Sequence, residues 1–325
     1  FSTLLTKNWL SNISISFLTK RRISYVVSGT FIVIGLSSLF INGLNQGVDF
    51  VGGRSYVVRF EQPVSQEKIQ SNLIKVLGNA EVKTFGSDNQ LKITTNYKVD
   101  TDSSDVDEEI NNILYADLTE FMSENISFEE FVVNGDENKQ AGIMSAIKVG
   151  PTIADDIKKN SFYAVFGSLI IVFLYILLRF KNWQFSLGAV SAVFHDVLVV
   201  LGIFSLTYSF MPFNMEINQA FIAAVLTVIG YSLNDTVVVF DRIREYRNIN
   251  TSWELPRIVD GALNSTLSRT LNTSFTTLVV LVSIFIFGGE SIRGFMFALI
   301  VGVLIGTYSS VFVATPVMYD TLKKK

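Results

Sequence analysis

The chain has 325 residues, of which 49% are hydrophobic and only 17% are charged, with a net charge of −3. Soluble domains carry about 25% charged residues, so this composition excludes a disordered chain and disfavours an ordinary soluble enzyme. There is no cysteine and one histidine, His195, so we expect no disulfide, no thiol nucleophile, no metal and no cofactor. The mild acidity gives no sign of nucleic-acid binding. Because the sequence starts at Phe1, we expect a fragment or one half of a longer polypeptide.

Six apolar runs are long enough to cross a bilayer, which takes roughly 20 mostly apolar residues. No signal-peptide cleavage pattern precedes the first of them. The sequence therefore predicts an α-helical polytopic membrane protein with six transmembrane helices. The runs lie at about 23–43, 161–178, 186–208, 219–240, 273–288 and 294–318.

Lysine and arginine cluster beside the spans, and all the clusters fall on one side if the N-terminus is cytoplasmic. Arg293 is the only basic residue of a short loop on the other side. Both ends are therefore predicted to be cytoplasmic, with an amphipathic lead-in over 1–22 and a basic tail over 319–325. The clusters are Lys20, Arg21 and Arg22; Arg179 and Lys181; Arg242, Arg244 and Arg247; and Lys323, Lys324 and Lys325. In the lead-in, Trp9, Leu10, Ile13 and Phe17 fit one face of an interfacial helix.

The segment 44–160, between the first two spans, then lies outside the membrane, on the side away from the cytoplasm. It is acidic and too long for a simple loop. Its order βαββαβ is that of ferredoxin-like folds, so we predict an α+β ferredoxin-like extracytoplasmic domain. The pattern predicts strands at about 54–60, 80–86, 90–96 and 127–133, helices at about 65–77 and 105–124, and a turn at 86–89.

The stretch 242–272 is polar and amphipathic. It predicts a separate cytoplasmic helix that lies along the membrane before the fifth span. In the sixth span, Gly302 and Gly306 have the Gly-x-x-x-Gly spacing, which indicates close helix packing and no chemistry.

Two acidic residues lie inside predicted spans, where ionisable groups are costly and usually face the bundle interior. Asp196 lies near the middle of the third span, and Asp235 lies in the fourth span roughly 9 Å from the cytoplasmic end at 1.5 Å per residue. A carboxyl group in apolar surroundings can bind and release a proton near neutral pH. The alternative for each is a carboxyl group that only holds helices together, and for Asp196 the neighbouring His195 is then its partner.

Arg269, just before the fifth span, lies toward the same side as Asp235 because consecutive spans are antiparallel. It could pair with the ionised aspartate and be released on protonation. The alternative is a simple cytoplasmic anchor. Asn234 and Ser232 beside Asp235, and Thr273 in a run of hydroxyl residues, could support this site by hydrogen bonding or by ordering water.

These residues stand in motifs that resemble the SecF members of the SecD/SecF protein-export family, within the resistance-nodulation-division (RND) superfamily. The resemblance covers nearly the whole chain, and the motifs follow one another in family order. They are GVDFVGG at 47–53, VGPTIADDIKKNS at 149–161, RFKNWQF at 179–185, FHD at 194–196, IGYSLNDTVVVFDRIRE at 229–245, STLSRTLNTSFTT at 265–277 and GGESIRGFMFALIVG at 288–302.

The resemblance implies an accessory subunit of Sec export that uses the proton gradient in late translocation, in the inner membrane and without enzymatic activity. It implies that Asp235 and Arg269 match the family's essential intramembrane pair, and Asp196 its third-span aspartate. It also implies the partners SecD, as a subunit or a fused half, and the SecYEG channel, with YajC and YidC as further candidates. A translocating preprotein is the client, and a proton or sodium ion drives the cycle.

Three other functions stay open from the residues. An RND-type small-molecule exporter would carry much larger outside domains. A non-transporting scaffold of the translocon would tolerate Asp235→Asn, whereas an energy-coupling subunit would not. A receptor with an external sensing domain needs no buried aspartate and arginine.

Overall fold

A computed structural model describes residues 14–101, 103–122, 126–133 and 139–323. Trp9, Leu10 and Ile13 of the predicted lead-in and Lys324 and Lys325 of the predicted tail lie outside the described residues. The helices in chain order are α1 (Arg21–Ile41), α2 (Val48–Val51), α3 (Gln66–Leu77), α4 (Ser104–Leu118), α5 (Phe128–Val132), α6 (Pro151–Phe180), α7 (Trp183–Thr207), α8 (Gln219–Ile249), α9 (Leu255–Phe287), α10 (Glu290–Ser309) and α11 (Thr315–Lys323). The strands are β1 (Gly53–Arg59), β2 (Glu81–Phe85), β3 (Ser87–Thr95) and β4 (Gly142–Val149).

Six helical segments of the described chain are long and apolar enough to cross a membrane, which confirms the predicted six spans. They are formed by α1 with its preceding 3₁₀ turn, by α6, α7, α8 and α9, and by α10 continued into α11. The last span contains a π-helical turn at Ser310–Ala314 that joins α10 to α11. We call the end of this bundle nearest the α+β domain its domain end, and the other its opposite end.

The α+β domain is a four-stranded antiparallel sheet with the order β2-β3-β1-β4. Its core is the face where α3 and α4 cover the sheet, with Ile69, Leu73, Ile110 and Leu114 fully buried against it. The strand order and helix positions are those of the predicted ferredoxin-like fold. The sheet ends at Val149 and α6 begins at Pro151, so residues 151–160 of the predicted domain belong to the second span.

The predicted last strand at 127–133 is wrong, because this segment is the short helix α5. Ser127 accepts a hydrogen bond from the Glu130 amide at 3.3 Å, and the Glu130 carboxylate accepts one from the Ser127 amide at 3.0 Å. This reciprocal capping box starts a helix, and Phe131 is the one fully buried side chain within it. The fourth strand is β4, which the sequence patterns did not reveal.

Two further boundaries differ from the prediction. The turn between β2 and β3 is confined to Gly86, whose φ of +84° suits glycine, and β3 begins at Ser87. The helix predicted to continue to 124 ends at Leu118 and is followed by a 3₁₀ turn over Thr119–Phe121.

A buried arginine ties β1 to α4. Arg54 is 3% exposed, and its Nε donates to Asp107 Oδ1 at 2.5 Å, while Lys148 Nζ of β4 donates to Asp107 Oδ2 at 2.9 Å. Partial burial alone would raise the pKa of Asp107, but the hydrogen bonds from Lys148 and Arg54 outweigh it and hold that pKa below its usual value. The ionised form of Asp107 therefore stabilises the domain.

The separate membrane-parallel helix predicted at 242–272 is wrong. Residues 242–249 continue α8 without a break, and α9 runs uninterrupted from Leu255 to Phe287. Helical hydrogen bonds persist through this polar sequence until the turn at 250–254, where Pro256 can occupy the first helical turn of α9. Both helices are therefore longer than the apolar runs from which they were predicted.

The described end of the lead-in packs against α9 instead of forming an amphipathic helix. Asn264 Oδ1 of α9 accepts a hydrogen bond from the Ile15 amide, and Asn264 Nδ2 donates one to the Ile15 carbonyl, both at 2.9 Å. Asp260 Oδ1 accepts a hydrogen bond from the Leu18 amide at 3.1 Å. Phe17 is buried against Phe312. This apolar residue therefore faces protein and not lipid.

The helix α7 is central in the bundle and packs against α1, α6, α8, α10 and α11, whereas α9 packs against α8 and α10. Gly202 of α7 faces Gly35 of α1, and a Cβ added to either would meet the other backbone. Gly302 and Gly306 of α10 lie against Val228 and Ser232 of α8. The close packing predicted for these two glycines is confirmed.

Candidate functional site

Asp196 is buried at the point where α7, α8 and α10 meet. Its Oδ2 accepts hydrogen bonds from Ser232 Oγ of α8 at 2.6 Å and from Ser309 Oγ of α10 at 2.8 Å. The carboxyl group is 1% exposed. One side chain thus links three spans, and a change of its charge or protonation would alter all three contacts.

His195 contacts Asp196 although the two are neighbours in sequence. Its Nδ1 lies 3.0 Å from Asp196 Oδ1, and its ring lies 6.1 Å from that of Tyr308. Its Nε2 is buried without a protein partner. The histidine therefore belongs to the Asp196 cluster.

Asp235 lies three residues after Ser232 on α8, so both occupy one side of that helix. The Asp235 side chain is 3% exposed, and its Oδ2 has no hydrogen-bond partner in the described chain. The Ser274 hydroxyl and the Arg269 guanidinium of α9 both interact electrostatically with it. Asp235 thus lies one helical turn along α8 from Ser232, which donates a hydrogen bond to Asp196.

Several buried or half-buried hydroxyl groups lie on α8, α9 and α10 in this part of the bundle. Ser274 Oγ lies 2.6 Å from Thr307 Oγ1 of α10. Thr236 and Thr270 are buried, and neither of their hydroxyl oxygens has a protein partner. Buried polar groups without partners are rare and usually mark an unusual role.

Arg269 lies on the exposed side of α9 and does not form an ion pair with Asp235 within 4.0 Å in the described structure. It lines a cleft of about 320 Å³ between α8 and α9 at the opposite end of the bundle. Other walls of this cleft carry charge, notably Asp241, Arg242 and Glu245. Arg269 therefore stands between the buried acid and an open polar cleft.

The remaining predicted site residues fall in different surroundings. Ser232 donates to Asp196 and not to Asp235. Thr273 Oγ1 donates to the Arg269 carbonyl at 3.0 Å, so it is bound to its own helix. Asn234 is exposed on the surface of α8 and points away from the buried acids.

Sequence reasoning missed Ser309 entirely and did not single out Ser274. The signal for Ser309 was present, since Ser309 and Ser310 are adjacent polar residues in an apolar span. The π turn that follows Ser309 is a second marker, because such turns are often found at functional sites.

Comparison with models of known protein families identifies the family of this chain. Residues 131–324 match the model of the protein export membrane protein SecD/SecF, C-terminal, and residues 37–64 match the SecD/SecF GG motif. The chain belongs to the SecD/SecF protein-export family. This confirms the resemblance seen in the sequence.

Relatives and solved structures agree. The chain is 44% identical to protein translocase subunit SecF of Rhodothermus marinus, over 95% of this chain and 94% of that protein. It is 36% identical to the subunit of the same name in Thermodesulfovibrio yellowstonii, over 95% of each. The crystal structure of SecDF from Thermus thermophilus, described as a translocon-associated membrane protein, matches with 28% identity and a TM-score of 0.79. That match covers 98% of this chain but only 40% of the SecDF chain.

Proposed function

We propose that the chain is an ion-driven accessory subunit of the Sec protein-export machinery, acting as a coupler and not as an enzyme. The observation that carries the proposal is the buried Asp235, whose Oδ2 has no protein partner and which lies one turn from the Asp196 cluster. The names of its relatives supply the process, protein translocation.

Protonation of Asp235 removes a charge that Arg269 and Ser274 otherwise stabilise. One arrangement of α8 and α9 is then favoured when Asp235 is neutral, and another when Asp235 is ionised. A unit charge that crosses 100 mV supplies about 2.3 kcal/mol. This shifts a two-state equilibrium by about 50-fold, enough to bias two arrangements though too little to unfold a stable domain.

The ion enters from the side of the α+β domain, which is periplasmic, and leaves through the cleft that Arg269 lines. The basic clusters support this orientation, because positive residues favour the cytoplasmic side. Both termini of this segment are then cytoplasmic. The α+β domain follows the helices and grips or releases a preprotein emerging from the SecYEG channel, which promotes late translocation.

A SecD half is the partner that covers the exposed polar side of α8 and α9. Asn234 and Arg269 are exposed there, together with Thr276. Polar groups that face lipid are unfavourable, whereas a facing helix can satisfy them. The matched SecDF chain has more than half its length outside this match, enough to hold such a partner. YajC and YidC are further candidate partners.

The test is export of a model preprotein into vesicles that hold SecYEG, the motor ATPase and this chain with SecD. We expect a proton gradient to stimulate the wild type and Asp235→Asn to abolish that stimulation. Asp155→Asn is the matched control, because Asp155 is an exposed acid at the start of α6. Stimulation by a sodium gradient alone would identify sodium as the ion. Full gradient-dependent stimulation in Asp235→Asn would exclude Asp235 as the coupling site and favour the scaffold or an ion path confined to the SecD half.

A further inference from the structure

The α+β domain is fixed to the domain end of α8 at a small set of contacts, which we call the junction: residues 45–49, residues 214–219 and Lys92. The Gly47 amide donates to the Ile217 carbonyl at 3.0 Å, and the Ile217 amide donates to the Asn45 carbonyl at 2.7 Å. Asp49 Oδ2 accepts from the Gln219 amide at 3.0 Å, at the first residue of α8. The segment that enters the domain is therefore bonded to the start of the helix that carries Asp235.

An ion pair between Lys92 and Glu216 completes the junction. On β3, Leu91 and Ile93 face the core under α3 and α4, so Lys92 faces the bundle. The two side chains are only 14% and 5% exposed. The pair is thus nearly buried between the sheet and the bundle.

The residues around Glu216 fix its backbone and leave space for its carboxylate. The Glu216 amide donates to Asn214 Oδ1 at 3.1 Å, which fixes the backbone that carries the carboxylate. A Cβ at Gly47 would lie 3.2 Å from Glu216 Oε2, so glycine leaves the space that the carboxylate uses. A buried ion pair adds little net stability compared with apolar packing, but its loss leaves an uncompensated charge. Such a pair is suited to fixing a relative orientation.

The sheet is not packed against the bundle across its whole face. A cavity of about 400 Å³ lies beside the pair, with Gln90 and Met144 on the sheet side and Phe295 on the bundle side. Lys83 of β2 also reaches the Tyr208 ring at the end of α7, 5.9 Å from its centre, so a tilt of the domain about the junction must break the Lys92–Glu216 pair and this weaker contact. The distance along α8 from Gln219 to Asp235 is about 24 Å at 1.5 Å per residue, without a break.

We propose that Lys92 and Glu216 are positioning residues that make the α+β domain move with α8. Their ion pair converts a displacement of α8 at Asp235 into a movement of the domain. This inference rests on the proposed function, because it needs α8 to respond to the driving ion. It adds the contact through which a movement of α8 inside the membrane is transmitted to the α+β domain outside it.

The first experiment measures whether the pair holds the domain. The sequence contains no cysteine, so Ser71→Cys on α3 and Ser209→Cys beyond α7 give two unique spin-label sites in the full chain, studied with a cysteine-free SecD. Electron-electron double resonance should give one narrow distance distribution in the wild-type background. We expect Lys92→Met and Glu216→Gln each to broaden it. Lys98→Met, which breaks the Lys98–Glu109 pair inside the domain, should leave it unchanged.

The second experiment measures export with and without the proton gradient in the same variants without the cysteines. We expect Lys92→Met to lower the gradient-dependent stimulation about fivefold or more, the lower range of usual coupling between sites. Export without a gradient should be unchanged. The exchanged pair Lys92→Glu with Glu216→Lys should restore both the narrow distance and much of the stimulation, which a residue needed only for folding would not do.

The outcomes separate this inference from the proposed function. Stimulation retained in Lys92→Met and Glu216→Gln, or an unchanged distance distribution, overturns the inference and leaves the role of Asp235 intact. A wild type that the gradient does not stimulate overturns the proposed function and the inference with it. Broadening together with a selective loss of stimulation, reversed by the exchange, supports the inference.

Discussion

The close approach of α8 and α10 beside the two buried acids gives a direct test of the packing. A Cβ at position 302 would overlap the side chain of Val228 on α8. Overpacking a tight site costs about 1–3 kcal/mol, and the better helix propensity of alanine offsets about 0.5–1 kcal/mol of it. We therefore expect Gly302→Ala to lower the free energy of unfolding by up to about 2.5 kcal/mol, and by about 1–3 kcal/mol relative to the same substitution at an unpacked helical glycine.

The measurement is an unfolding titration of the purified chain in detergent, with Gly230→Ala as the matched control. Gly230 is also in a spanning helix, but no atom lies within 4 Å of a Cβ added there. In this control the free energy of unfolding should be unchanged or higher by up to about 1 kcal/mol. Adding Val228→Ala to Gly302→Ala should recover part of the loss, as a positive coupling of about 0.5 kcal/mol or more. Equal stability of the two glycine variants would refute the packing described for α8 and α10.

Three other changes have defined outcomes. Ser309→Ala removes one hydrogen bond to the buried Asp196 and should lower the free energy of unfolding by about 1–3 kcal/mol in the same titration. Because the pKa of Asp107 is lowered in the fold, its contribution is present above the unfolded pKa and is lost as the pH falls through the folded value. Melts of the α+β domain in the full chain should show a loss of stability below about pH 4 that is smaller in Asp107→Asn, in which Glu109 and Glu130 still contribute. Ser127→Ala removes the cap of α5 and should lower the unfolding free energy by about 1 kcal/mol, measured by the same melts at neutral pH.

The sequence was most informative where burial in lipid constrains it. Long apolar runs place six spans, because each spanning backbone must satisfy its own hydrogen bonds. An acid within such a run is costly, so Asp235 and Asp196 were visible at once. The ends of α8 and α9 were not visible, since a helix continues into water without any apolar signal. Residues 242–249 and 255–272 therefore looked like a separate element.

Local and distant effects explain the other errors. The segment 127–133 has the apolar alternation typical of a strand, but it forms a helix because two side chains, Ser127 and Glu130, make a capping box. The bond between Ser309 and Asp196 joins residues 113 positions apart. No periodicity encodes such a pair, because it depends on how α7 and α10 pack. Asn234 shows the same limit, since its sequence position beside Asp235 does not tell on which side of α8 it points.

The contacts of α8 indicate which helix should respond to a charge change. At its domain end it is bonded to Asp49, and in its middle Ser232 binds Asp196 one turn from Asp235. At its opposite end Asp241 pairs with Arg179 of α6 at 2.9 Å. The helix α7, which carries Asp196, has the largest buried share of the six spans at 61%, whereas α8 is 44% and α9 only 11% buried. Since the most buried helix shifts least without repacking its neighbours, we expect the response to Asp235 to be a movement of α8 and α9 against α7.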